Sequence, residues 1–525
     1  MKILFIYPTI DCPPGISHGI AAMSGVLKAN GHQTSLIHIN EQLATIPTNE
    51  QIIEHILHEK PDIIGFSVMS QQYDWTCQLA RDIKKNESLQ KLPLVVGGVH
   101  CTMVPDEVAN LKLFDYTCVG EGDYALLELM NRLQRGEDTT NCPNMRVLVG
   151  DKIIYNPVQG FPDIDAMPET DYELFDMDHI INVKKGWLSI ITSRGCPYKC
   201  TYCFNKEIID QYKEDGAIKS ARDYLRHYSV ERIVNEIKTL VKNHPHISTI
   251  IFDDDLFTLD RKYVHEFSKA YREANIDLWW VCNAHVDAFT EEMAKDLSEG
   301  GCRIVKFGVE SGSRRIRKDV LWRHMTNKKI IESFEYAHRY NLHTSAFIMF
   351  GLPLEGKEEI METFQLCADA QMGRFRWALF YPFPGTMGYT IANQHNLIDF
   401  EKMKQLGNYF DGTCLKFTPE HNLFLDKISK LACWWVNSLT DWECAPIYKD
   451  LVQKVEAMDG EEWNRKKQEL VAYDRTLSDQ LMAEDKLHYT IRYAHVMGVR
   501  SDFIKWEAER IKQNRQVQKV TYTLD

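Results

Sequence analysis

The sequence predicts an α/β protein in three parts: a doubly wound parallel sheet, a second series of strand-helix units suited to a partial (β/α)6 barrel, and a helical C-terminal region. Three observations predict it. Between residues 2 and 135, short β-rich runs alternate with amphipathic stretches, the pattern of a parallel sheet wound with helices. From 186 to 395 the alternation resumes through six strand-helix units. Beyond residue 400 the pattern reads as helix alone. A chain of 525 residues is also too long for one ordinary core. The expected division is 1–140 doubly wound domain, 141–185 linker, 186–395 barrel and 396–525 helical cap.

In the first part the expected strands are 2–7, 34–39, 62–67 and 92–97, with helices near 18–30, 50–59, 72–85 and 122–135. Ligands of such sheets bind at the carboxyl ends of the strands. The linker carries Asn141, Pro143, Pro157, Pro162 and Pro168 in a polar setting, with room for one small hairpin. In the barrel the expected strands are 187–192, 249–253, 278–283, 304–308, 344–350 and 376–381. After residue 400 no strand is expected, and Trp434, Trp435, Trp442, Trp463 and Trp506 are read as the cap's own core.

Composition narrows the function. Hydrophobic residues make up 44% and charged residues 26%, the balance of a globular protein. A formal charge of −13 argues against a nucleic-acid partner, because phosphate neutralisation needs clustered Lys and Arg. No apolar run approaches the roughly 20 residues of a membrane span. Met1 leads straight into a strand-like run without a leader pattern, so a cytoplasmic location is expected. Fourteen cysteines then fit free thiols and a metal site better than a disulfide framework.

Three of those cysteines crowd into one loop after the first expected barrel strand, Arg194-Gly195-Cys196-Pro197-Tyr198-Lys199-Cys200-Thr201-Tyr202-Cys203. Iron-sulfur clusters usually take four thiolates, so three in a tight loop leave one iron open to another ligand. Structural zinc is the alternative. It wants four protein ligands, generally from two separated knuckles, and Cys282 or Cys302 would have to complete the set.

The spacing C-x-x-x-C-x-x-C after the first barrel strand resembles the hallmark of the radical S-adenosylmethionine superfamily. The stretches Ile251 to Phe257, Phe307 to Gly312, Phe350 to Pro353 and Tyr381 to Thr386 look like its successive strand-end motifs. The resemblance implies a 4Fe-4S cluster on Cys196, Cys200 and Cys203, with S-adenosyl-L-methionine on the open iron. It also implies that Tyr202 flanks the adenine, that Asp254, Asp255 and Glu310 accept bonds from the cofactor's hydroxyls or ammonium, and that Gly308 and Gly351 allow close approach. The bland readings are loop packing for the tyrosine, a solvated strand end for the carboxylates and turns for the glycines.

The stretch Val95-Val96-Gly97-Gly98-Val99-His100-Cys101-Thr102, followed by Val119-Gly120-Glu121-Gly122-Asp123, is similar to the Rossmann-like cobalamin-binding domain that precedes the barrel in one branch of that superfamily. With the barrel, the resemblance covers roughly residues 1–395. It implies that Ser67, Gly97, Gly98, Thr102 and Glu121 lie where cobalamin binds. The D-x-H-x-x-G loop that supplies a cobalt ligand elsewhere is absent between Pro8 and Gly19, so no axial histidine is assigned. His100 is read as a turn-bonding residue beside the cofactor rather than a cobalt ligand. No G-x-G-x-x-G follows the first strand, which weighs against a dinucleotide.

The function expected is a radical enzyme that cleaves S-adenosylmethionine to a deoxyadenosyl radical, and a cobalamin-dependent methylase of an unactivated carbon on a small-molecule substrate. A flavodoxin- or ferredoxin-like protein would supply the electron. The rivals are a non-methylating cyclisation, rearrangement or carbon-carbon coupling, and a non-catalytic metal- or cobalamin-binding protein.

Overall fold

The computed structural model describes residues 1–406, 410, 412–492 and 496–506. They form two compact units, each assembled from separate stretches of chain. The first comprises Met1–Phe257, Ala270–Trp280 and Pro382–Thr390; the second comprises Thr258–Lys269, Val281–Tyr381 and the chain from Ile391 onward.

The first unit holds a seven-stranded sheet. Strands β1 (Lys2–Pro8), β2 (Gln33–Ile39), β3 (Ile63–Ser67), β4 (Leu94–Gly97) and β5 (Tyr116–Cys118) run parallel. A hairpin of β6 (Met145–Val149) and β7 (Lys152–Tyr155) continues the sheet antiparallel beyond β5, giving the order β2-β1-β3-β4-β5-β6-β7. With β2 on one side of β1 and β3 on the other, the winding reverses between β1 and β3. Such a reversal opens a crevice at the carboxyl ends of the strands.

Ile3, Leu4, Phe5 and Ile6 of β1 are all buried, as a strand covered on both faces requires. On one face Leu4, Ile6, Ile64 and Val96 pack with Ile52, Ile56, Leu79 and Ile83 of the helices Asn49–Glu59 and Tyr73–Lys85. The first of these helices begins with a capping box between Thr48 and Gln51, which satisfies two orphan N–H groups.

The same unit contains β8 (Trp187–Ile190), β9 (Ser193–Arg194), β10 (Arg226–His227) and β11 (Thr249–Phe252). Here β8 and β11 pair in parallel, while β9 and β10 form a two-residue antiparallel clip. The chain passes from the first unit to the second within β12 (Trp279–Ala284).

In the second unit β13 (Cys302–Glu310), β14 (His343–Phe350) and β15 (Arg374–Leu379) are parallel neighbours. All ten strands expected in the sheet and barrel regions are present, each within two residues at either end. Helices follow every barrel strand, from Asn205–Glu214 to Met387–Gln394. The short β5 was not expected, because three residues carry no periodicity.

The C-terminal region is helical over Pro419–Leu439, Ala445–Ala457 and Gly460–Ala483, with Trp434, Trp435 and Trp463 fully buried among them. The expectation of no strands there needs correcting. Strands β16 (Tyr489–Arg492) and β17 (Met497–Arg500) form an antiparallel pair, and β17 adds to the edge of β15. Four-residue segments are too short to show a period of two, and the open edge of β15 supplies the hydrogen bonds that fix them.

Candidate functional site

A cavity of about 450 Å³ lies in the first unit at the carboxyl ends of its strands. One wall comes from the doubly wound sheet: Phe5, Gly65, Ser67, Gly97, Gly98 and the loop Gly120–Asp123. The other comes from Ser193, Arg194 and Gly195 at the start of the cysteine loop, together with Asp253, Asp254 and Asp255 after β11. One space therefore touches both regions singled out in the sequence.

The sheet-side wall depends on missing side chains. Gly98 has φ +98°, and a Cβ there would sit 2.5 Å from the Val68 nitrogen; at Gly97 it would sit 3.3 Å from the Cys118 Cβ. The Thr102 hydroxyl donates to the Gly98 carbonyl at 3.1 Å and accepts from the Gly120 N–H at 3.0 Å. It thereby ties the strand-end loops of β4 and β5 together. This glycine-rated wall fits the tail of a bulky cofactor such as cobalamin, and the volume is in the range of small-ligand pockets.

His100 does not line the cavity. Its Nδ1 bonds the Ser70 hydroxyl at 3.0 Å, its ring packs on Tyr73, and burial lowers its pKa to about 4, so it is neutral.

The cysteine loop is fixed at its entrance. Asp254 is buried; its carboxylate accepts from the Thr192 N–H at 3.0 and 3.1 Å, from the Thr192 hydroxyl at 2.7 Å and from the Ser193 hydroxyl. Burial raises its pKa to about 6, against the pull of those hydrogen bonds. Gly195 has φ +93°, where a Cβ would meet the Tyr224 carbonyl at 2.4 Å.

Within the loop Cys200 is buried while Cys196 and Cys203 are half-buried. Burial, with added charge from Asp255 and the other loop thiols, pushes Cys196 and Cys203 up to about 12. Asn205 donates to the Cys203 sulfur at 3.4 Å and accepts from the Tyr224 hydroxyl at 2.7 Å. The Asn205 amide also bonds Asp255, whose pKa is raised chiefly by burial. At its far side the loop is held by Gly388, whose N–H donates to the Thr201 carbonyl at 2.6 Å.

Among the described residues no three His, Cys, Asp or Glu side chains converge on a single ion position. Three thiolates from one loop fall short of the four protein ligands of structural zinc, whereas each can bind a different iron of a cubane. The donor set therefore fits a three-thiolate cluster.

Tyr202 is half-buried and does not line the cavity. Gly308, Glu310 and Gly351 belong to the second unit. There β13 shifts register between Gly308 and Glu310, and Glu310 takes a left-handed φ of +67°. A left-handed φ is uncommon for a non-glycine residue and carries a backbone cost. A Cβ on Gly308 would lie 2.7 Å from Glu310 Oε1, and Arg323 donates to the Gly308 carbonyl at 2.5 Å. Gly351 also has positive φ, +68°.

Sequence reasoning missed a charged cluster at the cavity. Arg194 donates to both oxygens of Asp123 at 2.7 and 3.1 Å and to Glu121 at 3.2 Å. Arg226 donates to Glu121 at 3.0 Å and lies over the Phe161 ring. Glu121, a candidate cofactor contact, is thus held between two guanidinium groups. Also missed was His18, whose Nε2 bonds the Ser189 hydroxyl at 3.1 Å while that hydroxyl donates to Asp253. Burial lowers the His18 pKa to about 4. Pairs separated by 71 to 171 positions leave no local signal.

Comparison with known proteins agrees with this layout. The B12 binding domain model matches residues 13–130 and the Radical SAM superfamily model matches residues 190–367. An uncharacterized methyltransferase of Pyrococcus horikoshii is 27% identical over 76% of this chain and 84% of its own length. The anaerobic magnesium-protoporphyrin IX monomethyl ester cyclase of Rubrivivax gelatinosus is 25% identical over 77% of this chain and 72% of its own. The solved structure of the cobalamin-dependent S-adenosylmethionine radical enzyme OxsB, with aqua-cobalamin and S-adenosylmethionine bound, aligns with a TM-score of 0.64. It shares 17% identity and covers 92% of this chain and 75% of that one, a likeness of fold. The chain thus carries a B12-binding domain followed by a radical S-adenosylmethionine domain, and these two domains imply a 4Fe-4S cluster, S-adenosylmethionine and cobalamin as cofactors.

Proposed function

We propose that the chain is a cobalamin-dependent methylase that installs a methyl group on an unactivated carbon of a small molecule. The observation that carries this is the single cavity whose walls are the cobalamin-side glycines, Gly97 and Gly98, and the entrance of the cysteine loop, Ser193 to Gly195. A cofactor that donates a methyl group must be presented to a carbon activated beside the cluster. Methyltransferases among the relatives support the reading.

In this reading Cys196, Cys200 and Cys203 hold the cluster. Tyr202, Asp254, Asp255, Gly308, Glu310 and Gly351 serve the S-adenosylmethionine side; Ser67, Gly97, Gly98, Thr102 and Glu121 serve the cobalamin side, with His100 outside the cavity on Ser70. The bound cofactors supply radical generation and a transferable methyl group. The protein orients them. Asp254 fixes the strand that enters the cysteine loop, Asn205 donates to the Cys203 sulfur, and the Thr102 hydroxyl holds the glycine wall open.

We assign residues 1–140 to the cobalamin-binding domain, 141–185 to a linker, 186–395 to the radical domain and 396–525 to a cap; both family matches fall inside these bounds. An electron donor of flavodoxin or ferredoxin type and a cytoplasmic location complete the proposal. Fourteen cysteines, three of them assigned to a metal cluster, suit a reducing compartment. Among the described residues no helix is long and apolar enough to cross a membrane.

A second reading, radical ring closure without methyl transfer, has the cyclase of Rubrivivax gelatinosus in its favour. The two separate in one preparation: protein purified anaerobically, loaded with iron, sulfide and hydroxocobalamin, reduced with dithionite and given S-adenosylmethionine. A methylase forms S-adenosylhomocysteine as well as deoxyadenosine, and Cys203→Ala abolishes the deoxyadenosine. Deoxyadenosine without S-adenosylhomocysteine would move the assignment to the non-methylating reaction.

A further inference from the structure

The loop Gly120–Asp123 grips the cysteine loop from both flanks. On the entry side, Arg194 stands two residues before Cys196 and makes its two-pronged contact with Asp123. Beyond the last cysteine, the helix Asn205–Glu214 carries Tyr212, whose hydroxyl accepts from the Glu121 N–H at 3.0 Å. Gly120 has φ +77°, and a Cβ on it would lie 2.1 Å from that hydroxyl, so the tyrosine occupies the room a side chain would take. The Tyr212 ring is buried and stacks on Phe161 at 4.1 Å, with Arg226 on the same phenyl ring.

The loop is equally committed to the glycine wall. The Gly120 N–H donates to Thr102, and Thr102 donates to Gly98. An unbroken series of bonds thus runs from the wall of the cobalamin cavity, through Gly120–Asp123, to both ends of the cluster loop.

We propose that Gly120–Asp123 is a coupling clamp, with Glu121, Asp123 and Tyr212 as positioning residues that make cobalamin binding and cluster binding mutually reinforcing. The inference rests on the cofactor assignments of the preceding subsection. A ligand that orders the glycine wall also orders Gly120 and Glu121, and therefore presents Arg194 and Tyr212 with partners already in place. A formed cluster that fixes the cysteine loop returns the effect. Coupling between two sites is reciprocal, and typical values change affinity by about five- to 150-fold.

The test is an anaerobic titration of hydroxocobalamin, followed by absorbance, into the full-length protein with and without its reconstituted cluster. The unsubstituted protein is expected to bind hydroxocobalamin at least about fivefold more tightly with the cluster present. Reciprocally, hydroxocobalamin should slow the loss of iron to a chelator. In Tyr212→Phe the ratio of the two affinities should fall toward one, with the cluster-free affinity within about twofold of the parent. General loosening of the fold would weaken both affinities together and leave the ratio intact. An equal Kd with and without the cluster in the unsubstituted protein overturns the clamp, as does an undiminished ratio in Tyr212→Phe. Protein that takes up neither cluster nor corrinoid would instead overturn the cofactor assignment.

Discussion

Asp254 has its oxygens occupied by Thr192 and Ser193, so its first task is to hold the chain that delivers Cys196. Asp254→Ala strands a buried backbone N–H and two hydroxyls. Each unsatisfied buried group costs about 1–3 kcal/mol, and we expect a loss of at least about 2 kcal/mol in urea unfolding of the cluster-free protein. Iron content after reconstitution should fall in parallel, and unchanged iron with unchanged stability would remove the anchoring role. The chemistry of Cys196, Cys200 and Cys203 was legible because it lies in one loop. The role of Asp254 was legible only as an acidic strand end, because its partners sit about 60 positions earlier across the β8–β11 pair. Arg194 stood in the quoted motif, yet nothing local pointed to Asp123.

Elements are fastened by similar long-range groups. His244 follows the last turn of the helix Val230–Asn243 and bonds Asp178 at 2.7 Å and Glu173 at 3.0 Å, joining that helix to Met177–Val183; His246 lies 3.4 Å from the same aspartate. Burial works against the charged imidazole, but the two carboxylates outweigh it and hold the pKa above the ordinary value. A cation at a helix C-terminus is favoured in addition. The stabilisation is therefore complete below the unfolded histidine's pKa of about 6.5 and disappears as pH rises through the higher folded value. In His244→Gln the urea midpoint should lose this decline from pH 6.5 upward; an identical profile in the variant would show that His244 does not set it. Strands β1, β3 and β4 were legible because they are buried on both faces and their apolar runs are continuous; β2, at the sheet edge, showed only the short run Leu36-Ile37. Strands β16 and β17 were not, since the edge of β15 makes them strands and no run of their own does.

At the scale of the molecule, the first unit is closed by a segment far along the chain. Gly385, with φ +85°, sits so that a Cβ would lie 2.5 Å from the Met103 carbonyl, next to Thr102, while Gly388 bonds Thr201 between two cysteines. Gly385→Ala should cost about 1–3 kcal/mol in strain and weaken hydroxocobalamin binding, measured by urea unfolding and absorbance titration. Retained affinity with retained stability would mean that the segment only packs there. The two-part α/β plan was readable from strand spacing, but the return of residues 382–390 to the first unit was not, because strand-end glycines and prolines say nothing about which loop they will meet.

That return has a consequence for how the protein is made. A ribosome releases residue 257 long before residue 390, and at ordinary rates of synthesis the interval is about 7 to 27 seconds. During it the first unit has its sheet but lacks the turn and helix start that meet Met103 and Thr201. The cysteine loop is then least sheltered from oxidants, with its thiols already exported and their cover still being translated.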